Sequence, residues 1–542
     1  MADCLLIGYN EVKLKNFKPV LKLYEALKLP QLFEWMPSNN QFHMMYKFIQ
    51  YSWLKHNNDP YSAFDVIDSF YGGGEWDDSI KKQPIFSSTI AYLGTFLKRR
   101  GFTFDFVNSF NQGKTELAEK LRKGDVLTVA IPTTFYEEPA PIREIVEFVK
   151  AHNSKVKIII GGPYILKRVQ DLDQKALHKL LKSLQADFYV VNIQGESALA
   201  EVLRALKNNR GYEEIKNIIY KERDQYRFNE FQPEENRLEE NTVDWALFAE
   251  SLSPMTVVRT CISCPFSCAF CDYHTLAGQY QTVSVEAIER ELDQIHSSGM
   301  VKHLLFTDDT FNVPVERFKA VLRMMIRKKY RFQWTSFLRC QFLDAETVAL
   351  IKESGCEGLL LGIESANQTI LDNMNKKAKV EDYRRGIGLL NEYQIDSCCS
   401  FIIGFPGETA ATARDTIDFI EACRPTYYRL NTWICLPSSP VYQQRERYKI
   451  KGKNLAWSHA TMNSKTASQL IEEAVLRIEN SIYLPVFDFD SLSLYNWGMS
   501  SEQIKALMAA FNAGVKEKLR NPKLGGVSAA TWNRLKTACI NH

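Results

Sequence analysis

Residues 261–271 read CISCPFSCAFC, which puts Cys261, Cys264, Cys268 and Cys271 within eleven positions of a 542-residue chain that has twelve cysteines in all. Cys4 is the only one that precedes them, and Cys340, Cys356, Cys398, Cys399, Cys423, Cys435 and Cys539 are scattered through the rest. Most of the scattered ones sit in apolar or strand-like contexts, where a thiol behaves as a small hydrophobe. Twelve are far too few for a disulfide scaffold in so long a chain, and closely spaced cysteines in a reducing compartment more often bind metal or do chemistry. The spacing of Cys264, Cys268 and Cys271 places three thiolates on one short loop, enough to hold three irons of a cubane and leave the fourth open. With Cys261 as fourth ligand the same loop would close a tetrahedral zinc site, although structural zinc sites usually divide their ligands between two knuckles. Spacing alone leaves both readings open.

Downstream of the loop, short β-branched runs alternate with helical periodicity, the pattern of repeated βα units and a parallel sheet. Six strands are expected, near 256–260, 303–308, 332–338, 358–365, 397–404 and 427–435. The first connecting helix is well marked: Ser284 caps it, Val285, Ile288, Leu292 and Ile295 line one face, and Gly299 ends it. Parallel βα architectures place ligand chemistry at the carboxyl ends of their strands. Those ends are polar: Asp308 and Asp309 close the second strand, Arg339 follows the third, Glu364 and Ser365 end the fourth, and Gly404-Phe405-Pro406-Gly407-Glu408 ends the fifth. Any one of these is ordinary turn or cap chemistry; their coincidence with the cysteine loop argues for a site.

A second alternation occupies the front of the chain. Strands near 4–8, 103–107, 126–131, 156–160 and 188–193 are interleaved with helices near 89–99, 116–122 and 142–151, which reads as a doubly wound parallel sheet. Its strand-end loops are Pro132-Thr133-Thr134, Gly161-Gly162-Pro163 and Gln194-Gly195-Glu196-Ser197, combining hydroxyls with glycines that let a backbone approach a bulky ligand. No G-x-G-x-x-G follows the first strand, so dinucleotide binding has little support, and a ligand-free scaffold is the alternative.

The loop Cys-x3-Cys-x-Phe-Cys at 264–271 resembles the cluster loop of the radical S-adenosylmethionine (SAM) enzymes, and a Rossmann-like domain ahead of it resembles the cobalamin-dependent branch of that family. The resemblance implies an α/β fold with domains at 1–205 (Rossmann-like and cobalamin-binding, with an inserted aromatic-rich segment 10–85), 206–254 (linker), 255–450 (partial (β/α)6 barrel) and 451–542 (small helical C-terminal domain). It implies a 4Fe-4S cluster on Cys264, Cys268 and Cys271, with Cys261 outside the ligand set. It further implies that Asp308 and Asp309 hold the SAM amino group, that Arg339 meets its carboxylate, that Glu364 and Ser365 contact the ribose, and that the Gly404 and Pro406 turn borders the adenine. Cobalamin is expected against Thr133, Thr134, Gly161, Gly162, Pro163, Gly195 and Glu196. No D-x-H-x-x-G element supplies a histidine to the cobalt. His43 and His56 read as solvated surface, and His459, in Trp457-Ser458-His459, as structural in preference to a pocket residue.

The activity so implied is methyl transfer from SAM through methylcobalamin to an unactivated carbon or a phosphinate phosphorus of a natural-product or peptide substrate. The tail and length resemble the phosphinate P-methyltransferases and the natural-product or peptide C-methyltransferases. Radical rearrangement or cyclisation without net methylation is the alternative within the same chemistry, and a non-catalytic iron–sulfur or cobalamin sensing module the alternative outside it. The expected partners are a small-molecule or peptide substrate and an electron donor such as a flavodoxin or ferredoxin. With 67 basic against 64 acidic residues and a net charge of +3, nothing points to nucleic acid. No apolar run approaches the roughly 18 residues of a membrane span and the first residues lack a secretory pattern, so a cytoplasmic location is expected.

Overall fold

The computed structural model describes residues 2–10, 19, 21–23, 40–71, 84–223, 225–234, 236–485, 491–522 and 526–540. Trp35, in the aromatic-rich segment, lies outside the described residues. The chain clusters into two units: residues 1–12, 84–263 and 275–301 form the first, and 13–83, 264–274 and 302–542 the second.

In the first unit, β1 (Ala2–Ile7), β2 (Phe104–Val107), β3 (Val126–Pro132), β4 (Lys157–Gly161) and β5 (Phe188–Val190) pair in parallel in the order β2-β1-β3-β4-β5. The run of branched side chains through Val129, Ile131, Ile158 and Ile160 is fully buried because helices cover both faces, as a parallel sheet requires. The segment 206–254, expected as a surface linker, instead supplies β6 (Ile218–Glu222) and β7 (Gln225–Phe228), which extend this sheet antiparallel beyond β5. Its polarity is that of an exposed edge strand, since Gln225, Arg227 and Phe228 of β7 all face solvent. The first strand expected after residue 255 forms as β8 (Met255–Val258). The helix Val285–Ser297 is capped by Ser284, whose hydroxyl accepts from Ala287 N at 3.2 Å, and the left-handed Gly299 (φ +68°) follows it as expected.

In the second unit β9 (His303–Phe306), β10 (Gln333–Leu338), β11 (Cys356–Glu364), β12 (Asp396–Ile403) and β13 (Tyr427–Thr432) run parallel in sequence order with helices between them. The tail is not wholly helical. It forms a hairpin of β14 (Lys451–Lys453) and β15 (Ala456–Ser458), and then β16 (Ile482–Tyr483), which pairs with β13 through Tyr427↔Ile482 and Tyr428↔Tyr483. Helices 464–477, 501–520 and 529–540 complete it.

The aromatic-rich segment, expected as an insert of the front domain, clusters with this second unit because its side chains pack on the tail. Tyr51 donates to Ser468 O at 3.3 Å, His56 stacks on Trp532 with ring centroids 3.6 Å apart, and Lys518 lies 3.6 Å over the Trp53 ring while donating to the Gln50 and Trp53 carbonyls. Burial of Tyr51 and Trp53 on those helices is the reason for the aromatic composition.

Candidate functional site

Within the second unit the cysteine loop is held from both sides. Ala269 N donates to Met374 O and Ala269 O accepts from Val441 N, each at 2.8 Å, while Asn375 Nδ2 donates to Ser267 O at 2.8 Å. Cys268 is buried, Cys264 and Cys271 are half-buried, and none of the three is in a disulfide. Burial raises the Cys264 thiol and pushes Cys271 to about 11, so both thiols hold their protons near neutral pH unless a bound cation displaces them. Asp309 and Arg339 lie close enough to Cys264 to act on its charge, so the cysteine loop and two strand-end residues share one place.

Each strand end has its own construction. Asp308 is buried after β9. Asp309 opens to solvent on one edge but is otherwise enclosed by protein, and burial together with the Asp308 charge raises its carboxyl to about 6. Arg339 is buried, lies 3.6 Å from the centroid of the Phe266 ring, donates to Lys376 O, and among the described residues keeps Nε without a partner. Its backbone is pinned by Asn312, which accepts from Arg339 N at 3.0 Å and donates to Arg339 O at 2.9 Å. Glu364 stands in the left-handed region at φ +70°, a strained conformation for a residue with a side chain, and binds the buried Lys376 ammonium at 3.0 Å. A Cβ at Gly362 would sit 2.6 Å from Glu364 Oε1 and push on that ion pair. The Ser365 hydroxyl accepts from Asn367 N at 3.2 Å.

The Gly404 turn is closed from beneath by the tail. Gly404 has φ +92°, and a Cβ there would meet the Trp457 ring at 2.3 Å. His459, buried and stacked on Trp457 with a 6° interplanar angle, donates from Nε2 to Gly404 O at 3.1 Å, which leaves Nδ1 to accept from the Thr461 hydroxyl. Burial lowers its pKa, so it is a neutral structural histidine, as expected. Glu408 is fully buried with Oε1 unpartnered; burial pushes its carboxyl to about 8 against the lowering effect of the Gly404 and Phe405 N–H groups.

In the first unit, the expected loops leave adjacent strands at one edge, since Pro132 pairs with Gly161 and Gly161 with Val190. Thr133 is buried and spends both N–H and hydroxyl on Gly161 O at 2.8 Å, while Thr134 is exposed. Gly162, at φ +109°, precedes Pro163 at the start of helix 163–171. The glycines have an internal cause that the strand-end pattern did not reveal: a Cβ would come within 2.8 Å of Val190 at Gly161 and 2.3 Å at Gly195. Glu196 is buried, accepts from Asn236 Nδ2 at 2.9 Å, and is raised by burial to about 7.

Three groups at these sites were not singled out from sequence. Lys376 sits in a run, Lys-Lys-Ala-Lys, that reads as solvated surface. Asn10 follows β1 and donates its backbone N–H to Tyr136 Oη at 2.8 Å while its side-chain amide donates to Glu144 at 3.0 Å, beside the point where the strand order reverses. Arg259 lies 4.3 Å from the Tyr92 ring and acts on its hydroxyl, and among the described residues Gln194 Oε1 is buried without a hydrogen-bond partner.

A parallel α/β sheet whose strand-end charges lie beside a three-thiol loop has the parts of an α/β enzyme site able to take an iron–sulfur cluster. More particularly, residues 259–420 match the Radical SAM superfamily model, and the chain carries a radical SAM domain. That domain implies a 4Fe-4S cluster and SAM. An uncharacterized methyltransferase of Pyrococcus horikoshii is 26% identical over 310 residues, 55% of this chain and 65% of the relative. The anaerobic magnesium-protoporphyrin IX monomethyl ester cyclase of Cereibacter sphaeroides is 22% identical over 66% of this chain and 59% of its own length. The chain thus spans about 59 to 65% of these curated relatives. Among solved structures, the radical SAM methyltransferase TsrM from Kitasatospora setae, with cobalamin and a [4Fe-4S] cluster bound, superposes with a TM-score of 0.55 at 19% identity over 66% of this chain and 74% of its own. The cobalamin-dependent SAM radical enzyme OxsB gives a TM-score of 0.60 at 13% identity over 84% of this chain and 81% of its own. These likenesses establish the fold. Among the described residues no helix is long and apolar enough to cross a membrane.

Proposed function

We propose that this chain is a cobalamin-dependent radical SAM methyltransferase acting on a small-molecule or peptide acceptor. The observation that carries the reading is the meeting of the three-thiol loop with Asp309 and Arg339 at the strand ends of the second unit. In this reading Cys264, Cys268 and Cys271 hold the cluster, and the donor set fits it: three free thiols on a loop stapled through Ala269. When bound, the cluster, SAM and cobalamin supply the electron, the radical and the transferable methyl group.

The chain supplies placement. Asp308 and Asp309 offer carboxylates to the SAM ammonium, and the unpaired Nε of Arg339 faces the opposite demand, a carboxylate. The Lys376 ion pair fixes the Glu364 side chain, leaving its second oxygen for a ribose hydroxyl. Ser365, whose oxygen already serves Asn367, contributes the turn more than a free hydroxyl. The Gly404–Pro406 turn, backed by Trp457 and His459, forms a rigid border for the adenine. Thr134, Gly162, Pro163, Gly195 and Glu196 present the corrinoid with a lip of backbone and small side chains, and Thr133 and Gly161 hold that lip in shape.

Likeness to a ring-forming cyclase supports a second reading, radical cyclisation without net methylation. Anaerobic reconstitution with iron, sulfide and cobalt analysis, followed by product mass with reductant and SAM, separates the readings. Methyl transfer yields a methylated product with S-adenosylhomocysteine and 5′-deoxyadenosine; cyclisation yields deoxyadenosine alone; zinc without corrinoid uptake overturns both.

A further inference from the structure

The tail carries a strongly charged strip that the proposed chemistry has not used. Residues 445–453 read RERYKIKGK, five cations and one anion, an excess larger than the net charge of +3 on the whole chain. Arg445, Arg447, Lys449, Lys451 and Lys453 are all exposed. Lys451 and Lys453, two residues apart on β14, project to the same side of that strand. Among the described residues none of the five forms an ion pair; the two arginines rest near their own neighbours, 5.7 Å from the Tyr442 ring and 5.0 Å from the Tyr448 ring. A run of charge is usually a solvated face balanced by its surroundings, and here Glu446 is the only acid within the run.

Its position gives the strip a use. Ser267, Ala269, Asn375, Arg447 and Tyr448 line one hollow of about 310 Å³, with Asp372 as its only acid. Arg447 therefore stands at the same depression as the outer turn of the cysteine loop. The connection is short: Cys268 is bonded to Ala269, Ala269 O accepts from Val441 N at 2.8 Å, and Val441 lies four residues before Arg445. Pro265 and Ser267 are exposed on that turn, whereas Cys268 is buried. A reductant that cannot enter a filled active site has this outer face from which to approach.

Resting on the proposed cluster at Cys264, Cys268 and Cys271, we infer that the 445–453 strip is the docking surface for an acidic, low-potential one-electron carrier protein, seated over the hollow beside Ser267. The carrier loses one electron and the cluster gains one; no bond forms or breaks at the surface. Electron-transfer partners form small, transient complexes whose encounter is steered by opposite charge, which is what an exposed, uncompensated basic strip provides. The anionic carrier is favoured over a nucleic acid because this strip, unlike the second basic run at 323–331, stands at the hollow beside the cluster loop, and the chain outside the strip carries no net positive charge.

The test uses the reconstituted full chain with an acidic flavodoxin as probe. Stopped-flow absorbance follows cluster reduction by the flavodoxin hydroquinone, and calorimetry follows binding of oxidised flavodoxin, which needs no turnover. The triple variant Arg445→Glu, Arg447→Glu, Lys449→Glu should lower the second-order reduction rate by roughly 10- to 100-fold at low ionic strength, a gap that closes as salt is added. Lys451→Glu with Lys453→Glu should give a smaller loss, and Lys175→Glu with Lys179→Glu on helix 174–184 none. Iron content and reduction by dithionite should be the same in all. Equal flavodoxin rates and binding in the triple variant and the unaltered chain would overturn the inference, as would selective loss of RNA or anionic-vesicle binding with flavodoxin binding intact. Failure of dithionite to reduce any cluster in the unaltered chain would count against the proposed function instead, with flavodoxin binding still deciding the surface.

Discussion

The two parallel sheets end in different ways. At the carboxyl edge of β3, β4 and β5 the loops are closed on themselves: Thr133 is spent on Gly161, and Gly161 and Gly195 are flush against Val190. At the corresponding ends of β9 to β12 the chain buries Asp308, Arg339, Glu364, Lys376 and Glu408. Burying charge costs several kcal/mol per ion unless it is paired, so such an edge persists only where its charges answer one another or a ligand. Glu364 and Lys376 answer one another and burial keeps Glu408 neutral, while among the described residues Arg339 Nε has no partner. The difference is one of number: the second edge buries five ionisable groups where the loops of the first bury Glu196.

The sharpest way to break this comparison is at the thiols. Alanine at Cys264, Cys268 or Cys271 should abolish iron incorporation and SAM cleavage. Cys261→Ala should retain the iron, since Cys261 lies outside the Cys264, Cys268 and Cys271 triad, and should cost only about 1 kcal/mol of stability. Iron and sulfide analysis checks both, and iron loss in Cys261→Ala would restore the four-thiolate site.

A smaller effect is expected at Glu408. Its carboxyl is raised from the ordinary carboxylate value to about 8, so between about pH 4.5 and pH 8 the folded chain keeps a proton that the unfolded chain has released. Its contribution is complete below that window and is lost as pH rises through it. Glu408→Gln, which mimics the protonated form, should therefore gain on the unaltered chain across the window, by on the order of 5 kcal/mol at its upper end. Urea titrations at the two ends of the window measure this, and parallel pH profiles would mean that Glu408 is ionised in the fold.

The smallest effect belongs to the first edge. Gly195→Ala forces a methyl to within 2.3 Å of Val190 Cγ1 and should cost about 1–3 kcal/mol, with reduced corrinoid uptake and unchanged iron content. Adding Val190→Ala should recover most of the loss in a double-mutant cycle. Corrinoid uptake that stays low after stability is recovered would show that Gly195 meets the ligand directly.

The cysteine loop, the strand-end acids and the alternation of both sheets were legible in sequence because each depends on local spacing or a short period. Lys376 was not, because its partner Glu364 is twelve residues away across a strand end and helix 368–373, and lysine in a polar run signals nothing about burial. The glycines of the first unit were legible as special, but their contact with Val190 was not, since Val190 is brought against them only by the sheet. The 10–85 segment went astray likewise: its aromatics are partnered by Ser468, Lys518 and Trp532, more than 400 residues on.

The short strand Ile482–Tyr483 covers β13 through two residue pairs. A fragment trimmed to end before it would expose a bare row of amide and carbonyl groups along Tyr427 and Tyr428, a template onto which a neighbouring chain adds itself. Dissecting this protein for expression should keep that cover, because a trimmed barrel would self-associate before its chemistry could be assayed.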